Sequence, residues 1–379
     1  MTGPPYPAAR AVAPRVYEHF VRHVADAQQR GQTGVATPPD AETIEALIDA
    51  AFWASLRREE NFVPTISLAF LTPEEAPYPL RFERAIPLEP GRLSKLAPAV
   101  ERAGIHLGVC RLGDVLSVWG TVRTIPPLCM VVEVAAPGLL VIKHHRGGEA
   151  GKFVNVAVLE GDQVKVVDEK ASSLPDCPPL LTSLLGFDSP ASWIDSVNVL
   201  VQLAVSMRAH HRGGILLVVP AATDAWQESI VKPIPYAVSP PFDVLGRLNR
   251  ASSARKRARA WQDAVTRVVD VIAGLTAVDG ATIMTSTYDL LAFGAKIVRR
   301  KGSPQVEQVT VTEPVEGSVA AVMHPTQLGG TRHLSAAQFV HDQHDAVVMV
   351  ASQDGHFTVF AWSPCEGMVH GHRVEALLL

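Results

Sequence analysis

The sequence predicts an α/β protein in which a smaller, β-rich α+β region precedes a C-terminal region with a mixed sheet flanked by helices. Three observations support this prediction. Apolar residues make up 47% of the 379 residues and charged residues 19%, which leaves ample apolar surface for buried cores. Short β-rich runs fill most of the first half. Helical and strand-like stretches alternate in the second half, an order typical of α/β layering.

The first 60 residues are predicted to form a helical segment. Apolar residues recur at helical spacing in residues 15–30 and 41–58, and Asp40 stands where an N-cap residue is expected. The β-rich α+β domain follows over residues 61–185. Its strand-like runs, such as FVPTISLAF and VLSVWG, are separated by Gly, Pro and Asp, as in a mostly antiparallel sheet. We place the next boundary in the Ser-, Pro- and Leu-rich link at residues 169–190.

A nucleotide-binding domain is predicted for residues 186–379, on the motifs described below. The expected elements, in chain order, are a helix over 191–211, a strand over 215–219, a helical stretch over 244–273, strands at 280–285 and 290–298, a helix ending near 342, and two closing strands at 346–351 and 357–362.

Composition also restricts the class of partner. Lys and Arg number 34 against 38 Asp and Glu, a net charge of −4, so no general electrostatic attraction to nucleic acid is expected. The four cysteines form no C-x-x-C pair, so neither a disulfide framework nor a structural zinc site is predicted. With no secretory pattern and no run of 18 apolar residues, we expect a cytoplasmic protein that does not enter a membrane.

The stretch GGTRHLSAAQF, beginning at Gly329, places an anion-binding pattern at the start of a predicted helix. A helix N-terminus offers unpaired N–H groups, and paired glycines let the backbone approach a ligand closely. Thr331 and Arg332 can bind phosphate oxygens, and His333 can donate a hydrogen bond or ligate a metal. The alternative is an ordinary helix cap with a surface arginine and a half-buried histidine.

A second motif lies upstream, where Asp279 and Gly280 precede an apolar strand beginning at Ala281. A carboxylate at the start of such a strand can hold a hard divalent cation, as phosphate-handling sites do. The alternative is a turn in which Asp-Gly only marks the beginning of the strand.

In order, spacing and strand context, the two motifs resemble the diadenylate cyclase (DisA-type, DAC) nucleotide-binding domain superfamily. The family carries Asp-Gly-Ala at the start of a strand and Gly-Thr-Arg-His-Arg-x-Ala at the start of a helix. The corresponding residues here are Asp279–Ala281 and Gly330–Ala336, and the similarity spans about residues 191–362. RGGILLVVP resembles an early strand of that family, and VVMVASQDGHFTVF resembles its closing strand pair.

The resemblance implies a set of ligand-binding residues and a cofactor. It implies Mg²⁺ or Mn²⁺ bound with the nucleotide, through Asp279 and His333. In an active enzyme, Asp279 would also be catalytic, and two facing domains would make cyclic di-AMP from two ATP. A homo-oligomer is compatible with the same resemblance. The implied nucleotide-binding residues are Asp279, Gly280, Ala281, Gly330, Thr331, Arg332, His333 and Ser335.

One departure from the family motif favours binding over catalysis. Leu334 stands where the family carries the second arginine, and the segment before Gly330 lacks the usual acidic residue. Losing a guanidinium removes charge-assisted hydrogen bonds to a polyphosphate. The sequence therefore resembles the sensor-like branch, the DACNV-type sensor domain, with an appended N-terminal region. We expect a sensor of an adenine nucleotide or nucleotide second messenger; the alternative is an active, divergent diadenylate cyclase, a nucleotidyltransferase.

Other histidine-rich stretches are predicted to be structural. The stretch from His341 to Asp345 is expected to form the solvated end of a helix. Cys365, His370 and His372 are expected in a surface tail, and the adjacent pair His144–His145 is expected to point its side chains in opposite directions.

Overall fold

The computed structural model describes residues 4–58, 63–102, 104–145, 153–169, 199–250 and 259–379. Their contacts divide the chain into two compact units. Unit 1 comprises Met1–Val167 together with Leu379, and unit 2 comprises Asp168–Leu378. The predicted boundary within residues 169–190 falls almost entirely outside the described residues, and the three-domain division stays a prediction. No helix within the described residues is long and apolar enough to cross a membrane.

In its described residues, unit 1 combines three α-helices with one eight-stranded mixed sheet. The elements are α1 Pro7–Gln29, α2 Ala41–Ser55, β1 Ser67–Phe70, β2 Leu80–Pro87, α3 Pro90–Leu96, β3 His106–Leu112, β4 Val115–Val122, β5 Met130–Ala136, β6 Leu139–His145, β7 Phe153–Glu160 and β8 Gln163–Val166. The strand order is β2-β4-β3-β1-β5-β6-β7-β8. Strands β1 and β3 pair in parallel and the remaining neighbours are antiparallel, which confirms the prediction of a mostly antiparallel sheet.

Helix α1 begins eight residues before the predicted start at residue 15, so that boundary was wrong. Proline suits the first helical turn, where its missing N–H would have no intrahelical partner, and Pro7 occupies that position. Helix α2 begins where predicted, because the carboxylate of Asp40 accepts a hydrogen bond from the Thr43 amide at 2.7 Å.

The sheet of unit 1 is buried on both faces. Residues of α1 and α2, among them Phe20 and Leu47, share one core with alternate residues of the strands. A second core on the opposite face contains Trp119 of β4, whose indole N–H donates to the Leu71 carbonyl at 2.7 Å. Gly108 of β3 leaves room for this indole, since a Cβ there would lie 2.2 Å from a Trp119 ring carbon.

We expect Gly108→Ala to destabilise unit 1 by about 1–3 kcal/mol, because overpacking displaces the indole and strains its buried hydrogen bond. The matched control is Gly91→Ala in helix α3. Its new Cβ would meet only Arg57 Nη1, at 3.4 Å, so its effect should be within about 0.5 kcal/mol. Urea unfolding of both variants measures the difference. Equal stabilities would show that the indole does not require a glycine at position 108.

Unit 2 contains a nine-stranded mixed sheet with helices on both faces, as predicted. The strand order is β10-β12-β11-β9-β15-β16-β17-β13-β14, with β9 parallel to β11 and β13 parallel to β17. The elements are α4 Val199–Ala209, β9 Gly214–Val219, β10 Tyr236–Phe242, α5 Val244–Asn249, α6 Arg259–Thr276, β11 Ala281–Thr285, β12 Leu290–Ala295, β13 Val309–Thr312, β14 Ala321–Met323, α7 Thr326–Gly329, α8 Thr331–Asp342, β15 Val347–Ala351, β16 Phe357–Ser363 and β17 Met368–Arg373.

Strand β9 shows how this sheet is covered. Its side chains alternate between the two faces, as in any strand. Leu216 packs in the core that includes residues of α4 and α6. Ile215 and Leu217 pack on the other face with residues of α8. All six residues of β9 are buried, so this strand lies at the centre of a three-layer α/β/α unit.

Several predicted elements of unit 2 differ from those observed. Within the described residues, the helical stretch predicted over 244–273 contains the two helices α5 and α6, and the first part of the helix predicted over 191–211 lies outside those residues. A third closing strand, β17, occupies the region expected to be a surface tail. His372 on β17 is buried, its Nδ1 lies 2.7 Å from Thr312 Oγ1, and burial lowers its pKa to about 4.

Candidate functional site

The predicted anion-binding motif lies at the start of helix α8. Gly330 precedes the helix with a φ of 74°, a left-handed conformation that favours glycine, and the exposed Thr331 is its first residue. Gly329 is also required, because a Cβ there would lie 2.3 Å from the His333 ring. The glycines therefore allow a sharp chain reversal into the helix and close packing against an imidazole.

His333 points into the protein. Its side chain is buried, its Nδ1 lies 3.0 Å from the Gly329 carbonyl oxygen, and its Nε2 lies 3.4 Å from Thr358 Oγ1. Burial lowers the pKa of His333, and the Gly329 carbonyl offsets part of that effect. Because this pKa lies below its ordinary value, the imidazole is neutral at pH 7. Its two contacts connect the start of α8 to strand β16.

Arg332 extends from the same turn to the end of the sheet. A Cβ placed on Gly213 would lie 2.6 Å from Arg332 Nη1, so the guanidinium rests directly against this residue at the start of β9. The Ala351 carbonyl oxygen, at the end of β15, also lies close to the Cβ position built on Gly213. Arg332 is half-buried, and no ion pair joins it to a carboxylate within the described residues.

Asp279 lies at the same end of the sheet as Arg332. Strands β11 and β9 are parallel, with Ala281 opposite Ile215, so the chain enters both strands at this end of the sheet. Asp279 precedes β11 by two residues and Gly213 immediately precedes β9, so the two segments enter neighbouring strands, which are about 5 Å apart. The Asp279 side chain is exposed. We call this region, defined by Gly213, Asp279, Arg332 and Ala351, the Arg332 end of the sheet.

Further charged groups surround the Arg332 end. Arg208 Nε donates to the Gly355 carbonyl at 3.0 Å, in the turn between β15 and β16. Arg212 is exposed, and its carbonyl accepts from Gln353 Nε2 at 3.5 Å. In the same turn, a hydrogen bond from Ser352 lowers the pKa of Asp354. Among the described residues named here, three arginines and two carboxylates lie in or beside this region, a set that can bind an anion together with a cation.

The remaining predicted residues lie close to this region in different environments. Ala281 is fully buried in β11, and Ser335 is half-buried in the first turns of α8. A Cβ on Gly280 would lie 2.5 Å from the Gly294 carbonyl carbon, so this glycine allows β11 and β12 to pack closely. Leu334 packs against the apolar core on the α8 face of the sheet.

Asp279 is the candidate ligand for the predicted cation. Among the described residues, Asp279 belongs to no cluster of three or more potential metal ligands. Mg²⁺ is commonly held by one or two carboxylates plus the phosphates of its substrate. Asp279 therefore fits a cation that arrives with a nucleotide, and it does not fit a cation held by the protein alone.

A cleft that the sequence did not reveal lies at the opposite end of the sheet, beyond Val219 of β9. Its volume is about 540 Å³, and its wall includes Arg300, Lys301 and His344. The Asp342 side chain is fully buried there and accepts hydrogen bonds from the Arg300 amide and from Gln338 Nε2. The expectation of a solvated helix end holds for the exposed His344 and Asp345 but was wrong for Asp342, whose buried carboxylate is compensated by these donors.

Comparison with known proteins concerns unit 1. Residues 33–123 match the family model described as "Probable sensor domain DACNV". The match runs from the segment before α2 to the residue after β4, and it supports a sensor domain of this family in unit 1. It covers less than half of the chain and lies outside residues 191–362, where the motif resemblance occurs. The search of curated proteins found no match.

Gly213→Ala should displace Arg332 and destabilise unit 2. Gly213 has a φ of 70°, which costs other residues about 1–2 kcal/mol. Contact between the new methyl group and the guanidinium should add about 1–3 kcal/mol. The matched control is Gly317→Ala, because Gly317 has a φ of 81° but no atom within 4 Å of its Cβ position. Denaturant unfolding should show a larger loss for Gly213→Ala; equal losses would mean that Arg332 does not occupy this position.

Proposed function

We propose that the protein is a sensor in which unit 2 binds an adenine nucleotide or nucleotide second messenger at the Arg332 end of its sheet. The observation that supports this proposal most strongly is the position of two distant motifs. Arg332 and Asp279 are 53 positions apart in the sequence; the Arg332 guanidinium reaches Gly213 just before β9, and Asp279 lies just before the neighbouring parallel strand β11. The probable sensor domain matched in unit 1 is consistent with a sensory role for the whole chain.

The proposed ligand follows from the charges at this site. A half-buried guanidinium can donate two parallel hydrogen bonds to a phosphate, each worth about 1.5–3 kcal/mol. The N–H groups at the start of α8 and the exposed Thr331 hydroxyl add further donors. Asp279 would repel a bare phosphate, so we propose that Mg²⁺ or Mn²⁺ accompanies the nucleotide. His333 contributes by holding the helix start in place.

The position of Leu334 favours binding without turnover. Phosphoryl transfer depends mainly on positioning and on stabilising charge in the transition state. The second arginine of the cyclase motif is replaced by a side chain that packs into the core. Fewer cations at this helix start reduce stabilisation of the transition state, while Arg332 and the backbone can still hold a ground-state phosphate.

The binding proposal predicts that ATP or cyclic di-AMP, with Mg²⁺ where required, raises the thermal stability of the full-length protein. Calorimetric titration should show that Arg332→Ala weakens binding by at least about tenfold, the equivalent of one lost charge-assisted hydrogen bond. Arg332→Lys should recover only part of that loss, because lysine cannot form the bidentate contact.

Arg300→Ala is the matched control for the binding experiment. Arg300 lies at the opposite end of the sheet and forms a 2.7 Å ion pair with Glu228. Its removal should leave nucleotide affinity unchanged. Loss of binding in Arg300→Ala with normal binding in Arg332→Ala would show that the nucleotide binds in the cleft at the opposite end of the sheet instead. No response of the wild-type protein to any nucleotide tested would contradict the proposal altogether.

A cyclase assay separates the sensor from its alternative. We expect no cyclic di-AMP when the wild-type protein is incubated with ATP and Mn²⁺ or Mg²⁺. Leu334 replaces the second arginine of the cyclase motif, so one positive charge that would stabilise the transition state is absent from this position. Chromatography with mass detection measures the product, and an active diadenylate cyclase serves as the positive control. Product formation that depends on protein concentration and is abolished by Asp279→Ala would establish the enzyme.

A further inference from the structure

Three histidines of unit 1 form a cluster between helix α1 and strand β6. His19 and His23 are four residues apart, so their side chains lie on the same face of α1. Their ring centroids are 4.3 Å apart. The ring of His144, on β6, lies 5.6 Å from that of His19 and 5.8 Å from that of His23.

These separations are those expected of three imidazoles around one metal ion. With a zinc–nitrogen distance of about 2 Å, a ring centroid lies about 3 Å from the metal, and tetrahedral angles place the centroids about 5 Å apart. The three observed distances bracket that value. Ligand atoms of His19 and His23 already lie within 4.8 Å of each other, and a side-chain rotation would have to bring a ring nitrogen of His144 to the same point.

The surroundings of the cluster suit a metal site. His19 and His144 are buried, and His23 is half-buried, which leaves a route from solvent. Phe20 packs edge-on against both buried rings and helps to fix their orientation. His144 Nδ1 lies 3.4 Å from the His145 carbonyl oxygen, a contact that favours a proton on Nδ1 and directs Nε2 towards a metal.

Neighbouring residues on β6 have different roles. His145 projects to the opposite face of the sheet, where its ring lies 5.5 Å from that of Phe153, as the alternation of a strand predicts. His144 alone of the pair therefore faces the cluster. The sequence signal for the cluster was the spacing of His19 and His23 on one helix face, and it was missed because the third histidine comes from 121 residues further along the chain.

We propose that His19, His23 and His144 bind one divalent transition-metal ion of the zinc class. Neutral imidazoles are good ligands for this class, and three of them leave a fourth position for water or another ligand. The ion would join the N-terminal helix to the sheet within unit 1. It would stabilise unit 1 by binding the folded state alone. This proposal does not depend on nucleotide binding by unit 2.

The test uses full-length protein treated with a chelator and then dialysed. Zn²⁺ is titrated calorimetrically, and Co²⁺ is added as a spectroscopic probe of the coordination sphere. We expect one Zn²⁺ per chain, a Co²⁺ absorption spectrum typical of tetrahedral nitrogen ligation, and a rise in melting temperature with either ion.

His23→Gln is the principal variant, because this side chain is half-buried and its replacement leaves the core intact. We expect at least a tenfold loss of Zn²⁺ affinity and no metal-dependent rise in melting temperature. His144→Gln should behave in the same way. Circular dichroism of the metal-free proteins confirms that each variant is folded, and His23→Gln alone decides the outcome if His144→Gln is not.

Two controls locate any metal that binds. His211→Gln removes an exposed histidine of unit 2 and should leave affinity unchanged. His370→Gln removes a histidine whose Nε2 lies 2.9 Å from Glu366 Oε2, a second pair of potential ligand atoms, and should also leave affinity unchanged. The proposal is wrong if the wild-type protein binds neither Zn²⁺ nor Co²⁺, if His23→Gln binds as tightly as wild type, or if only His370→Gln loses binding.

Discussion

The candidate nucleotide site depends on the pairing of strand β9 with β11 and β15. Strand β9 is buried on both faces, pairs in parallel with β11 and pairs antiparallel with β15. These ladders bring the start of β11 and the end of β15 to the same end of the sheet. Asp279, Gly213 and Ala351 all lie at this end for that reason. A register shift of one residue would exchange the side chains of β9 between two different cores, so close packing on both faces opposes it.

Close packing at glycine positions fixes the side chains that matter. The Arg332 guanidinium occupies space that a side chain at position 213 would take, and the His333 ring does the same at position 329. In unit 1 the Trp119 indole fills the space above Gly108. In each case a large planar group rests on a backbone without Cβ, so its orientation is set by van der Waals contact as well as by hydrogen bonds.

The two units carry chemically different candidate sites. Unit 2 offers arginines, backbone N–H groups and two exposed carboxylates, a set suited to a phosphate with its cation. Unit 1 carries the match to a probable sensor domain and, beside the matched segment, a cluster of imidazoles suited to a borderline transition metal. The two candidate sites differ in ligand chemistry, so each can be removed by substitution while the other is kept.

The sequence by itself determined the class of fold and the local chemistry of the principal motif. Periodicity revealed most strands of both sheets, and the Gly-Thr-Arg-His stretch marked the start of α8 because capping is a local property. Only the tertiary structure decided which way each side chain points. His333 and Asp342 proved buried with internal partners, Leu334 joined the core, and His19, His23 and His144 came together from distant segments. These outcomes depend on strand pairing between remote residues, and local sequence patterns do not record such pairing.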